Sequence, residues 1–249
     1  MEKTAVYVGT RNVYEDLQTS CKSLFANSDV DTVYLFVEDD VFPLPMPDEV
    51  KIINVSGQEF FKPDGPNSQS RWTYMAMMKV ALTKYLKKVN RALMLDYDTI
   101  VVDDISELWG TKLGKCYWAG VPNLGIVRPV GNPTYYNAGV ALMNYELIRK
   151  DKMDDAMIQS LNTYKAKYLD QDVLNDFSGG HIKELPLRFN ESGVTGWTRE
   201  PAIVHYVGIN KVSGGINGER RYFYNAYKTL DWPDIKEKRE ARYGKSLTI

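Results

Sequence analysis

Two features of the sequence predict an α/β fold with a largely parallel sheet. Short apolar runs rich in β-branched residues alternate with segments of helical periodicity along most of the 249 residues. No internal repeat, low-complexity stretch or linker interrupts that alternation, so a single domain over 1–249 is expected.

The elements follow in chain order. "TAVYVG" (4–9) is a β-branched apolar run, hence a strand. Leu17, Cys21, Leu24 and Phe25 then recur at i, i+4, i+7 and i+8, the apolar stripe of an amphipathic helix. "TVYLFV" (32–37) and "VKIINV" (50–55) are further strands on either side of a Pro-rich loop at 43–47. The polar loop "KPDGPNSQS" leads into a long helix expected from about Arg71 to Lys88, with Met75, Met77, Met78 and Val80 as core. A strand ends at Asp96, another covers 116–121, and a Gly/Pro/Asn-rich loop runs to about Pro133. "AGVALMN" (138–144) reads as a strand, 153–169 as a helix, and "PAIVHYV" (201–207) as the last strand.

Composition narrows the function classes. A hydrophobic fraction of 44% and a charged fraction of 25% are those of a soluble globular protein. A net charge of -1 gives no electrostatic case for nucleic acid as a partner. Two cysteines, Cys21 and Cys116, are too few for a disulfide framework and suit a reducing compartment. No stretch approaches the length of a membrane span, and the expected location is the cytoplasm.

In open α/β sheets ligands bind beyond the carboxyl ends of the strands, which gives weight to motifs placed there. The pattern D-x-D occurs three times. Asp29/Asp31 lies in a helix-to-strand turn and reads as solvated. Asp96/Asp98 follows the buried run Leu93–Leu95, and residues two apart in an extended segment face the same side. Two such carboxylates either hold Mg²⁺ or Mn²⁺, which can in turn hold a diphosphate, or share a solvated turn. Asp103 and Asp104 can simply start the next helix. Near the last strand, "HYVGINK" offers His205, Gly208 and Lys211. An imidazole beside two carboxylates favours Mn²⁺ over Mg²⁺, a glycine admits a phosphate to the backbone, and a lysine adds charge. The alternative is a strand-end histidine bonded to a carbonyl and a lysine in water.

"LMLDYDTIVVDDISELW", "YYNAGVALMN", "YLDQDVLN" and "HYVGINK" occur in this order. Together they resemble glycosyltransferase family 8, the retaining, metal-dependent group of glycogenin and the bacterial lipooligosaccharide galactosyltransferases. The resemblance runs from "AVYVGTRNVY" to Lys211 and implies one GT-A type nucleotide-sugar-binding domain. A family core over approximately 1–212 would then carry a C-terminal helical extension over 213–249.

Carried over by position, the resemblance implies that Asp96, Asp98 and His205 bind Mn²⁺, with Mg²⁺ as the alternative, and that the metal bridges the diphosphate of a UDP-sugar. Tyr97 lies between the two acids in the donor site, while Gly208 and Lys211 would hold the distal phosphate. Val8, Thr10 and Tyr14 match the uridine-binding start, with Tyr14 placed to stack on uracil. Here the chain departs from the family: Arg11 and Asn12 stand where relatives have a small acid or amide. Lys79, seventeen residues before Asp96, matches the basic residue near the donor sugar and diphosphate. Asp170 and Gln171 match the pair beside the sugar, and Asn137, Ala138 and Gly139 would line it.

The same residues have structural readings: Tyr14 as packing, Asp170 as a helix start, Gly139 as a tight strand entry. Catalytic roles are expected for Asp170, Gln171 and Lys79. A neutral amide such as Gln171 is a poor nucleophile, so front-face attack by the acceptor, assisted by a phosphate oxygen, is the favoured route.

The acceptor is open among a glycan, a protein and a small polyol. The loop 122–134 and the region after Lys211 are expected to shape its side. "RRYFYNAYKTLDW" offers rings that either stack on sugars or fill the core. The tail "IKEKREARYGK" is net basic and reads as a solvated helix or a weak membrane-surface contact. Two other classes compete: a metal-dependent sugar nucleotidyltransferase, for which "YVGTRN" is a thin triphosphate loop, and a non-catalytic nucleotide-sugar-binding module.

Overall fold

The computed structural model describes residues 2–70, 73–126, 134–207 and 221–249. In chain order the strands are β1 (Thr4–Val8), β2 (Thr32–Val37), β3 (Val50–Asn54), β4 (Arg91–Leu95), β5 (Thr99–Val101), β6 (Trp118–Pro122), β7 (Tyr136–Asn144), β8 (Ile182–Glu184) and β9 (Ile203–His205). The helices are α1 (Tyr14–Asn27), α2 (Tyr74–Met78), α3 (Leu82–Tyr85), α4 (Ser106–Gly110), α5 (Tyr145–Lys150), α6 (Met153–Thr163), α7 (Asp170–Phe177), α8 (Arg221–Thr229) and α9 (Trp232–Tyr243).

Seven strands form one sheet in the order β3-β2-β1-β4-β7-β6-β8. The first four are parallel, β7 runs antiparallel between β4 and β6, and β8 is parallel to β6. β5 and β9 make a separate antiparallel ribbon. Period-two alternation splits β1 between two cores. Ala5 and Tyr7 join Leu17, Leu24 and Phe25 of α1 with Trp232 and Ile235 of α9; Val6 and Val8 join Met75, Met78, Trp118 and Leu174 on the other face. Both faces of the parallel strands are thus covered, which is why they read as continuous apolar runs. From β1 the order proceeds outward to β2 and β3 on one side and to β4 on the other. A crevice opens at that reversal, beyond the carboxyl ends of β1 and β4.

Five sequence expectations change. The long helix over 71–88 is replaced by α2 and α3, with Arg71 and Trp72 outside the described residues. Between them Lys79, Val80 and Ala81 donate their N–H groups to carbonyls three residues back, the tighter turn of a 3₁₀ path. Met77, Met78, Val80, Ala81 and Leu82 are all buried, a run too dense in apolar residues for one face of a straight helix.

The helix expected over 153–169 stops at Thr163. Buried Asn67 terminates it by donating to the carbonyls of Leu161 (2.6 Å) and Tyr164 (2.8 Å) and accepting from the Ala166 N–H (2.9 Å). Asp29 and Asp31 are not merely solvated: they pair with Lys3 and Lys245, tying β1 to the C-terminal segment. Asp104 accepts from the N–H of Ser106, the first residue of α4, but Asp103 pairs with Arg188 and Arg242. Three of the tail's basic groups are likewise spent inside the fold. Arg239 donates to the carbonyls of Ser28 and Val30, Arg242 to Asn27 and Asp103, and Lys245 to Asp29 and Asp31. The strand expected over 201–207 is β9, while β5, β8 and α5 are additions to the elements legible in the sequence. Among the described residues no helix is long and apolar enough to cross a membrane.

Candidate active site

The site is built on the turn after β4. The Asp96 N–H donates to the Gly139 carbonyl (2.8 Å), and the Asp96 carbonyl accepts from Thr99 N (3.1 Å) and Thr99 Oγ1 (2.7 Å). This closed turn, not an extended segment as the sequence suggests, sets the two carboxylates. β5 then pairs with β9 so that Thr99 faces His205, and the Tyr206 N–H donates to the Asp98 carbonyl at 2.9 Å. His205 Nε2 lies 3.3 Å from Asp98 Oδ1 and 3.5 Å from Asp96 Oδ2. Space for the imidazole exists because residue 139 lacks a side chain: a Cβ on Gly139 would fall 1.9 Å from His205 Cε1.

Lys79 reaches in from the irregular path between α2 and α3. Its ammonium contacts Asp96 and lies 3.1 Å from Asp170, the first residue of α7. Leu169, directly before Asp170, has φ 45° and ψ −115°, a conformation that costs a non-glycine residue ~1–3 kcal/mol. Gln171 Oε1 accepts from the Ala138 N–H (3.0 Å), joining α7 to β7. Asn137 Oδ1 accepts from the Gly139 N–H (2.9 Å) and from Asn190 Nδ2 (2.9 Å), and Asn190 Oδ1 lies 3.0 Å from His205 Nδ1.

Charge at this site is unbalanced. Burial raises the pKa of Asp170 and neighbouring Asp96 adds to it, so that even with Lys79 opposing, it is pushed up to about 6. Burial acts the same way on Asp96, but Lys79 and His205 outweigh it and hold that carboxyl well below the usual range. Lys79 shows the mirror case: burial disfavours its charge, yet Asp170 and Asp96 raise its pKa. Three carboxylates and one ammonium leave two negative charges when His205 is neutral, the charge that a divalent cation balances.

Asp98 Oδ1 is buried and without a hydrogen-bond partner, a costly state for a carboxylate oxygen and an apt one for a ligand. Ligand atoms of Asp96, Asp98 and His205 lie within 4.8 Å of one another. Two hard oxygens and an imidazole nitrogen therefore fit a divalent ion of the Mn²⁺ or Mg²⁺ type.

The sequence pattern described as Glycosyl transferase family 8 matches residues 6–212. This chain belongs to glycosyltransferase family 8. A lipopolysaccharide 1,2-glucosyltransferase of Escherichia coli is 24% identical over 184 residues, covering 62% of this chain and 54% of the relative. This chain's matches span between 20% and 60% of the length of its curated relatives. Among solved structures, the galactosyltransferase LgtC, in complex with donor and acceptor sugar analogues, superposes with a TM-score of 0.71 at 19% identity. It covers 94% of this chain and 99% of its own. The glycosyltransferase GlyE of Streptococcus pneumoniae gives a TM-score of 0.74 at 19% identity, covering 100% of this chain and 65% of its own. These likenesses give the family 8 chain its GT-A fold.

The remaining residues expected at a family 8 site lie as follows. Val8 is buried at the end of β1, and Thr10 donates its hydroxyl to Asn12. Tyr14 is 5% exposed, its ring centroid 4.7 Å from that of Phe42. Its hydroxyl donates to Asp39 (3.0 Å) and accepts from the Glu38 N–H (3.0 Å). Arg11 forks onto Asp39 with three contacts of 2.8–3.0 Å, so the departure from the family at this position is tied to the β2 end of the crevice. A cavity of about 480 Å³ opens here, lined by Arg11, Asn12, Tyr14, Asp16, Arg221 and Tyr224 among others. Tyr97 packs against the α1 core. Gly208 and Lys211 lie outside the described residues. Asn190 is the site residue that the sequence hides: "LPLRFN" has no period or motif that marks it, and only the pairing around β9 brings it to His205.

His205 gives a pH test. Burial opposes its positive charge, but Asp98 and Asp96 outweigh burial and raise its pKa from 6.5 to about 9. A folded pKa above the unfolded one contributes stability that is present below pH ~6.5 and lost as pH rises through about 9. The metal-free protein should therefore lose Tm across that window, and a His205→Gln variant should lack this component. Mn²⁺ needs the neutral ring, so its stabilising effect should grow with pH over the same range. Differential scanning fluorimetry with chelator or Mn²⁺ measures both. A wild-type decline no steeper than that of His205→Gln argues against the pairing.

Proposed function

We propose that this chain is a Mn²⁺-dependent, retaining hexosyltransferase that moves glucose or galactose from a UDP-sugar to a carbohydrate acceptor. One observation carries the reading: Asp96 and the buried Asp98 and His205 converge at the switch point of a GT-A sheet, beside the Lys79–Asp170 pair. The hexose assignment draws on the glucosyl and galactosyl transfer named for the relatives.

When bound, the metal supplies a Lewis acid that offsets the charge gathering on a departing diphosphate. The chain's own residues do the rest. Asp96, Asp98 and His205 hold the ion; Gly208 and Lys211 take the distal phosphate. The uridine end falls to Val8, Thr10 and Tyr14, supported by the cavity beside them. Tyr14 there orients the Glu38–Asp39 turn and offers the edge of its ring. Asn137, Ala138 and Gly139 leave room for the hexose, and Gln171, fixed by the Ala138 N–H, lines its far side. Asp170 holds Lys79 toward the donor, and its bond to that ammonium makes it a weak nucleophile, which favours front-face attack by the acceptor hydroxyl. The two cysteines, both free, suit a reaction in the cytoplasm.

The test needs no acceptor. UDP-glucose or UDP-galactose should be converted slowly to UDP and free hexose, with Mn²⁺ and not with chelator. Phosphorus NMR identifies the products. Pyrophosphate formed from UTP and a sugar phosphate, with no UDP from any UDP-sugar, would instead identify a nucleotidyltransferase.

A further inference from the structure

Asn190 is fully buried just past the 3₁₀ turn Leu187–Phe189, where its N–H donates to the Leu187 carbonyl (3.0 Å) and its carbonyl accepts from the Thr195 hydroxyl. Its side-chain amide bridges Asn137 and His205, and the direction of that bridge is not free. The Gly139 backbone N–H donates to one side-chain atom of Asn137 at 2.9 Å. A backbone N–H can only donate, so this atom is the amide oxygen. The same oxygen lies 2.9 Å from Asn190, which must therefore turn its NH₂ toward Asn137. The Asn190 oxygen is left facing His205 Nδ1 at 3.0 Å, and an oxygen can only accept. His205 Nδ1 thus carries a proton.

We infer that Asn190 is a positioning residue that fixes His205 as the Nδ1–H tautomer and turns the lone pair of Nε2 toward the ion held by Asp96 and Asp98. The inference rests on the metal site proposed above, and adds to it the group that sets the ligand's protonation and ring angle. The relay starts from a backbone amide at Gly139, next to the sugar-lining residues, and ends at the metal side of the site. Its reference point therefore cannot rotate or titrate. Partners of this kind are worth roughly 10–100-fold in metal affinity.

Two substitutions separate the roles. Asn190→Leu removes the acceptor at similar volume, whereas Asn190→Asp keeps an acceptor for His205 and loses the donor to Asn137. With UDP present, Mn²⁺ affinity read from the free-ion EPR signal should fall about 10–100-fold in Asn190→Leu and stay at or above wild type in Asn190→Asp. Equal affinity in Asn190→Leu and wild type overturns the inference.

A second readout needs no change at Asn190 and no metal. The chain has two histidines, so nitrogen-15 spectra of wild type and His181→Gln assign the His205 ring. Recorded where the ring carries one proton, they should place it on Nδ1, shielded from exchange. An unprotonated Nδ1 overturns the inference whatever the metal does. A wild-type protein that keeps this proton but binds no Mn²⁺ overturns the metal reading instead.

Discussion

Replacing Asp98 by Asn is expected to abolish the Mn²⁺-dependent part of UDP binding, with at least ~100-fold loss of metal affinity, the upper end of what even an indirect partner contributes. Asn matches Asp in size, so packing is kept. Asp98 Oδ1 sits 3.3 Å from His205 Nε2, so in the metal-free protein the change also weakens that ion pair while leaving an amide of the same shape beside the ring. What disappears is one of the charges that draw a divalent ion between β4 and β9, and with it the hardest buried donor of the three. The fold should survive. Calorimetric titration of UDP, with Mn²⁺ and with chelator, should show a large gap for wild type and almost none for Asp98→Asn. Equal UDP affinity in the two conditions for wild type would remove the site altogether.

The largest effect on stability is expected at Lys79. Its ammonium is the counter-ion for both Asp96 and Asp170, and Lys79 and Asp170 are both buried. Lys79→Met fills the same space without charge and leaves two carboxylates facing each other. Breaking a buried pair from one side costs about 3–5 kcal/mol, because the stranded charge stays desolvated. Urea unfolding midpoints at pH 8 should drop accordingly.

The sign of the pH dependence follows from Asp170, already pushed up to about 6 with Lys79 present. Without the ammonium its folded pKa rises further above the unfolded value. Its protonated form then favours folding at low pH, and that contribution is lost as pH rises through the raised value. The deficit should therefore be smaller at pH 5 than at pH 8. Adding Asp170→Asn should recover part of the loss, a coupling that a double-mutant cycle isolates. A Lys79→Met protein as stable as wild type at pH 8 would show that the pair is solvated and not structural.

Local signals decided what was legible in the sequence. Strands β1, β2 and β4 declare themselves by short β-branched runs, and α1 by its apolar spacing, because each pattern repeats within a few residues. The acids Asp96 and Asp98 stand out because charge directly follows a buried strand. The order of four short motifs carried the family resemblance. By contrast, the break between α2 and α3 was invisible, since a dense apolar run fits a buried helix and a tight turn equally well. Asn67, which ends α6, lies about a hundred residues from the carbonyls it takes over.

By itself, then, the sequence determined seven of the nine strands, all but β5 and β8, together with the pair of acids and the histidine suited to join them. Only the tertiary structure decided that Lys79 points inward. A lysine on an apolar helix looks solvated until Asp96 and Asp170, the latter 91 residues away, surround it. It also decided that Asp103, Arg239 and Arg242 serve to dock α9, and that Asn190 reaches His205 and Asn137 at once. The physical reason is the same in each case. A charged or amide side chain is by default solvated, and its burial is favourable only where distant residues supply partners. Those partners are brought together by strand pairing and core packing, which leave no period in the local sequence.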